Sequence, residues 1–223
     1  MVRDGTEAAI EVAAASGLTL LDPEERDPER ASSAGTGELI AAAAGQGARR
    51  ILVAAGGSAT TDGGRGAIDA LEAAGGLRDA RLEVLCDTSI PFERAADVFA
   101  PQKGASPEQV ERLAARLVAE AGALPRDPRG RALTGAAGGL SGGLWAAFGA
   151  HLVLGAAFVL GVVGFDRRLE QADAAAHPFL MIGECEYLSD EMFVYIVHRG
   201  ETFRHDRQNN GGRRFSSEQR SNA

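Results

Sequence analysis

The chain has 223 residues, with 23 basic and 31 acidic side chains and a formal net charge of −8. That balance disfavours nonspecific binding to nucleic acid or anionic lipid, and a 45% hydrophobic fraction excludes wholesale disorder. Glycine, at 29 residues, exceeds the usual ~7% without a G-X-Y period, which excludes collagen and points to many tight turns.

In chain order, Ala8–Val12 reads as a short strand, and Asp22–Arg30 as a polar loop with two prolines. Gly37–Gly45 is predicted helical with Thr36 as its N-cap. Arg50–Ala54 is an apolar strand, Gly56–Gly66 a glycine-rich loop and Ala67–Ala74 a helix. Leu82–Leu85 is a strand ending at Cys86-Asp87. Ser106 then opens the clearest helix: Pro107 takes its first position, and Gln109 can close a capping box. Val110, Leu113, Leu117 and Val118 are expected to form its apolar face. Such alternation predicts an α/β domain with a largely parallel sheet.

Two stretches need separate treatment. Ala132–Phe165 carries no charge, long enough for a membrane span. Its nine glycines from Gly135 to Gly164 argue instead for a turn, a buried helix at about Leu140–Gly149 and a buried strand around Phe158–Val163. No signal peptide is expected from Met1-Val2-Arg3-Asp4-Gly5, and Cys86 and Cys185 lack metal-ligand spacing, so a reduced, cytoplasmic protein is expected. Beyond Asp173 the composition changes. Residues 174–223 hold six of the twelve aromatics and three of the four histidines, His177, His198 and His205, and end in a polar tail, Arg204–Ala223, expected to be disordered.

The residues that can carry chemistry cluster in the middle. An apolar strand runs into Gly56-Gly57-Ser58-Ala59-Thr60-Thr61-Asp62-Gly63-Gly64 and then a helix. At the carboxyl end of a strand, glycines let backbone N–H groups approach an anion, and hydroxyls can donate to phosphate or carboxylate oxygens. Asp62 is placed to orient a hydroxyl or help hold Mg²⁺, though a plain strand–helix turn explains the run equally well. Asp87 ends the next strand as a second carboxylate on the same side, or as a turn former. Lys103, in Pro101-Gln102-Lys103-Gly104-Ala105, is the single lysine beside 22 arginines. A compact ammonium can follow a transferring phosphate; a solvated surface lysine is the simpler reading. Gly135-Ala136-Ala137-Gly138-Gly139 is a second close-approach loop, or tight helix packing. His151 reads as a core or surface histidine, and Cys86 as a small buried residue.

Taken together, these runs resemble the bacterial glycerate kinases that phosphorylate D-glycerate with ATP. The resemblance runs from about Ala9 to Asp173. It takes in Gly35-Thr36-Gly37-Glu38-Leu39-Ile40, the Gly56–Thr60 run with Asp62-Gly63-Gly64, Cys86-Asp87, Pro101–Ala105, Gly135–Leu140 and Gly164-Phe165-Asp166. It departs at Ala34, where the family usually has Tyr, at Thr61 for Asn, at Arg65 for a small residue, and at Thr88-Ser89-Ile90-Pro91, which lacks Asn before Pro. The family's opening and closing motifs are not matched. The resemblance therefore implies a flavodoxin-like α/β domain with flanking helices over residues 31–173, a remnant strand and linker over 1–30, and a non-matching, partly disordered end over 174–223. The second, discontinuous domain of the family would be mostly missing.

For the site, the resemblance implies ATP and Mg²⁺ as cofactors and D-glycerate as substrate, with no nucleic acid or membrane partner. Lys103, Asp62 and Asp87 would be the catalytic residues, and Asp87 the metal ligand. Gly56, Gly57, Ser58, Thr60, Gly63, Gly64, Gly138 and Gly139 would bind substrate or phosphate. Truncation implies weak or absent kinase activity; the alternative is a noncatalytic α/β module that binds a nucleotide or organic acid.

Overall fold

The structure is a computed structural model that describes residues 2–3, 7–155 and the strand residues 195–198, 201–204 and 213–215. The chain forms two compact units, Met1–Gln171 and Ala172–Ala223. In the first, five strands follow one another across one sheet: β1 (Val2–Arg3), β2 (Glu7–Glu11), β3 (Arg50–Ala55), β4 (Arg81–Cys86) and β5 (His151–Leu154). β1 is antiparallel to β2; β2 to β5 are parallel. In the second unit β6 (Tyr195–His198), β7 (Glu201–Arg204) and β8 (Arg213–Phe215) form an antiparallel sheet.

Between β2 and β3 lie α1 (Ala13–Ser16) and α2 (Ala34–Gly45), and α3 (Arg65–Ala73) joins β3 to β4. The last crossover holds α4 (Ala95–Phe99), α5 (Pro107–Ala123) and α6 (Leu140–Phe148). Burial alternates along the strands: Ala8 and Ile10, Ile51 and Val53, Leu82 and Val84 face the core, their neighbours the other side. Those core positions share one cluster with Ile40 and Ala43 of α2, Ala67 and Leu71 of α3, and Leu140 and Leu144 of α6. The Ala/Gly excess serves this packing. A Cβ on Gly37 would come within 2.4 Å of the Ala67 carbonyl oxygen, so α2 and α3 meet nearly backbone to backbone. Phe92, Ala96, Leu113 and Leu117 form a second cluster under α4 and α5.

Three expectations shift. Helix α2 begins at Ala34, so Thr36 is not its cap; it is buried, with its Oγ1 2.9 Å from Ser16 Oγ. On α5 the capping box forms as expected, but Val118 is 48% exposed and Ala121 completes the Leu113–Leu117 face, four residues on. Strand β5 begins at His151, after only Gly149 and Ala150 beyond the end of α6. Within the tail Arg204–Ala223, expected to be disordered, Arg213–Phe215 forms β8 instead, paired with β7; the expected strand at 158–163, His177, His205, Cys185 and the rest of that tail beyond Arg204 lie outside the described residues.

Candidate active site

The predicted site residues 56–64 and Asp87 follow the carboxyl ends of β3 and β4, while Lys103, Gly138 and Gly139 come from the crossover between β4 and β5. The loop after β3 is stitched to the turn after β2: Leu18 N–H donates to Gly57 O (2.9 Å) and Ala59 N–H to Ser16 O (2.8 Å). Into this layer reaches Lys103, from the short turn Pro101–Lys103 before α5. Its side chain is 3% exposed, and Nζ donates to Ser58 Oγ (3.1 Å) and to the Thr60 carbonyl (2.5 Å). Burial lowers its pKa to about 8, against the opposing pull of the Asp62 and Asp87 charges. Two sequence runs more than forty residues apart thus meet at one ammonium group.

Asp87 follows β4 and is exposed as a residue. Its Oδ2 nonetheless lies 3.5 Å from where a Cβ on Gly56 would stand, and loss of solvent around the carboxyl raises its pKa despite its own N–H and the Lys103 charge. Beside it, Cys86 is buried, and desolvation pushes its thiol up to about 12, which makes it an inert packing residue.

Asp62 has a different task from the one expected of it. It is 1% exposed. Oδ2 accepts from Ser33 N–H (2.9 Å), Ser33 Oγ–H (2.8 Å) and Gly66 N–H (3.2 Å), while Oδ1 accepts from Gly64 N–H (3.1 Å). Ser33 Oγ in turn accepts from Ala67 N–H (3.0 Å). The carboxylate holds the first turn of α3 and ties it to the start of α2, and so is consumed by the fold. Ser33 is the partner that sequence reasoning missed; a serine just before a helix reads as a cap, and only the fold shows it serving a neighbouring helix.

The glycines divide in the same way. Gly138, at φ +68°, would place a Cβ 2.0 Å from the Thr60 carbonyl oxygen, and Gly139 one 2.8 Å from the Phe92 ring. Gly63 and Gly64 meet the Phe92 ring and the Leu140 backbone at 2.9 and 3.1 Å. These four are where the two loops press together, with Gly63 N–H donating to Gly138 O (3.1 Å). Gly56 and Gly57 are the more open part of the loop: a Cβ on Gly56 would meet only Asp87 Oδ2 at 3.5 Å, and one on Gly57, at φ +66°, only the Ala13 side chain at 3.3 Å. Ser58 and Thr60 are buried beside Lys103.

Among the described residues no three His, Cys, Asp or Glu side chains gather to hold a metal ion. A groove of about 800 Å³ lined by Arg49, Arg50, Arg81, Glu83 and His151 lies at the opposite, amino ends of β3, β4 and β5, away from these motifs.

The glycerate kinase family model matches residues 1–75 and 72–185. The chain belongs to the glycerate kinase family. It is 37% identical over 211 residues to the glycerate kinase of Bacillus subtilis (strain 168), covering 78% of this chain and 54% of that protein. It is 35% identical over 201 residues to the glycerate 2-kinase of Escherichia coli (strain K12), covering 74% and 53%. A crystal structure described as glycerate kinase 2 from Salmonella typhimurium LT2 superimposes with a TM-score of 0.65 at 37% identity, over 74% of this chain and 54% of that one. The chain spans about half the length of these glycerate kinase relatives. No helix among the described residues is long and apolar enough to cross a membrane.

Proposed function

We propose that this chain carries the ligand-binding edge of an ATP-dependent glycerate kinase, a phosphotransferase that moves the γ-phosphoryl group of ATP to a hydroxyl of D-glycerate. The observation that carries the reading is the buried Lys103 ammonium, bonded to Ser58 and Thr60 behind the open Gly56–Gly57 edge with Asp87 alongside. Phosphoryl transfer needs positioning and charge stabilisation more than covalent help from the protein. Lys103 supplies fixed positive charge, and the glycine edge lets a polyanion come close to the backbone.

Asp87 suits Mg²⁺, which is commonly held by one or two carboxylates with water and phosphate oxygens completing the shell. A single exposed carboxylate beside an open loop meets that requirement. When bound, Mg²⁺ neutralises charge on the transferring phosphate. Asp87 holds its side of the site, while Asp62 positions the loop from behind. An ATP-consuming enzyme of this kind works in the cytoplasm.

The consumption of Asp62 by the fold favours one second reading, a noncatalytic module that binds a nucleotide or organic acid through the same edge. Purified chain is assayed for ADP formation with D-glycerate and MgATP, and each ligand is titrated by calorimetry. Turnover that requires D-glycerate and is abolished by Lys103→Ala is expected for the kinase. Heat of binding without ADP selects the noncatalytic module, and absence of both from folded chain refutes either reading.

A further inference from the structure

The loop Asp22–Arg30 reads in sequence as a polar connector, but it is fastened at several points. Asp27 Oδ1 accepts from the N–H groups of Glu29 (3.0 Å) and Arg30 (3.3 Å). The Glu29 carboxylate accepts from Arg112 Nε (2.7 Å) and Nη2 (3.0 Å) and from Gln109 Nε2 (3.1 Å), and its carbonyl accepts from Arg116 (3.0 Å). Each exposed ion pair contributes little energy. Four donor groups from three residues of α5, Gln109, Arg112 and Arg116, nevertheless fix where the loop lies.

On that fixed loop sits Arg26. Its Cβ and carbonyl oxygen lie 3.5 and 3.7 Å from where a Cβ on Gly104 would stand, so it abuts the residue that follows Lys103. Its Nε is buried and has no hydrogen-bond partner. A guanidinium stays charged at any ordinary pH, and a buried donor left unsatisfied is costly, more so when charged. Among the described residues, the buried side-chain nitrogens and oxygens without a partner are Arg26 Nε, Thr60 Oγ1 and Thr61 Oγ1. All belong to the segments around Lys103: Nζ bonds the Thr60 carbonyl, Thr61 is next in the chain, and Arg26 abuts Gly104. Buried polar groups are normally paired, so orphans confined to the segments that meet around Lys103 point to hydrogen bonds that a ligand completes. The groove at the amino ends of β3, β4 and β5 lacks this property: none of these unpartnered buried atoms belongs to its lining, and Arg50 there is paired with Glu7 and Glu83.

We propose that Arg26 is a recognition residue of the Lys103 site, donating to an oxyanion of the bound ligand. The ligand chemistry is a carboxylate or phosphate group, both of which match the planar donor fork of arginine. This rests on the reading of the chain as a glycerate kinase. It adds to that reading a residue from a segment without any glycine motif.

The test is titration of D-glycerate, ATP and inorganic phosphate into the full chain and into Arg26→Gln, Arg26→Lys and the exposed neighbour control Arg30→Gln, with melting temperatures recorded without ligand. Loss of one charge-assisted hydrogen bond predicts that Arg26→Gln weakens binding about tenfold or more. Arg26→Lys should fall between, and Arg30→Gln should match the parent. Weakening confined to D-glycerate assigns Arg26 to the carboxylate; weakening of ATP and phosphate assigns it to a phosphoryl group. The ligand-free melting temperature of Arg26→Gln should not fall, because no bond within the protein is lost. Affinity in Arg26→Gln within about twofold of the parent for every probe overturns the inference alone. A parent chain that takes up none of the three probes overturns both it and the kinase reading.

Discussion

Asp62→Ala separates a residue that holds the fold from one that handles the ligand. The substitution strips four donors of their acceptor: Ser33 N–H, Ser33 Oγ–H, Gly64 N–H and Gly66 N–H. Hydrogen bonds to a charged acceptor contribute about 1.5–3 kcal/mol each, and a buried donor left unsatisfied costs about 1–3 kcal/mol. The four losses do not add, because the Ser33 hydroxyl can rotate and water can enter the vacated space. A net loss of about 3–5 kcal/mol is expected, a large share of the 5–15 kcal/mol typical of a domain. At roughly 2–4 °C per kcal/mol for a chain of this size, the midpoint should drop by about 6–20 °C. Trp145, the single tryptophan of the chain, sits in α6 between Arg126 and Arg131 and reports urea unfolding by its fluorescence. Ser33→Ala should cost about 1–2 kcal/mol. The double variant should fall short of the sum by about 1 kcal/mol, since the two side chains share a bond. Asp62→Ala that unfolds within about 1 kcal/mol of the parent, yet loses ligand binding, would refute the argument and return Asp62 to the ligand.

Gly138→Ala puts a Cβ 2.0 Å from the Thr60 carbonyl oxygen at φ +68° and should cost about 2–4 kcal/mol, whereas Gly75→Ala, at φ +92° with open space around it, should cost about 1 kcal/mol; urea midpoints compare them. Because burial lowers the Lys103 pKa from 10.5 to about 8, the unfolded chain holds the proton to higher pH than the folded one. Its contribution to stability therefore rises with pH from about 8 to 10.5, while affinity for an anion falls over the same range; subtracting the profiles of Lys103→Met isolates both trends. The Cys86 thiol, pushed up to about 12, should escape alkylation in native chain and react once guanidinium unfolds it, as read by peptide mass spectrometry; labelling of native chain would contradict its burial.

Features confined to a few residues were legible in the sequence. The Ser106–Gln109 capping box closes within one helical turn, and β3 and β4 announce themselves as apolar runs. The placing of the candidate loop at the carboxyl end of β3 followed from a glycine-rich run after an apolar strand. What escaped depends on partners far along the chain. The start of α2 is set by Ser33, held by a carboxylate 29 residues away, so the local preference of Thr36 for a cap was overruled. Ala121 outranks Val118 on the buried face of α5 because small side chains carry this packing, and hydrophobic patterning gives alanine little weight. Glycine looks the same whether it leaves an open edge, as at Gly56, or makes room for another loop, as at Gly138.

The choice of lysine at position 103 in a chain with 22 arginines has a geometric cause that can be tested directly. Nζ sits 2.5 Å from the Thr60 carbonyl and 3.1 Å from Ser58 Oγ, in a space that leaves the side chain 3% exposed. An ammonium is compact and presents its donors in any direction, whereas a guanidinium is a wide plane that keeps its charge at all working pH values. Lys103→Arg therefore preserves charge and changes shape. If charge alone matters, binding of ATP and D-glycerate should survive, with the affinity loss above pH 8 removed. The packing predicts otherwise. Overfilling a buried site costs about 1–3 kcal/mol, and here the strain falls on the Ser58–Thr60 backbone behind the open glycine edge. Lys103→Arg should lower the urea midpoint and weaken both ligands at every pH. Full affinity and stability in that variant would show that the ammonium acts as a bare charge, and that its contacts with Ser58 and Thr60 do not shape the site.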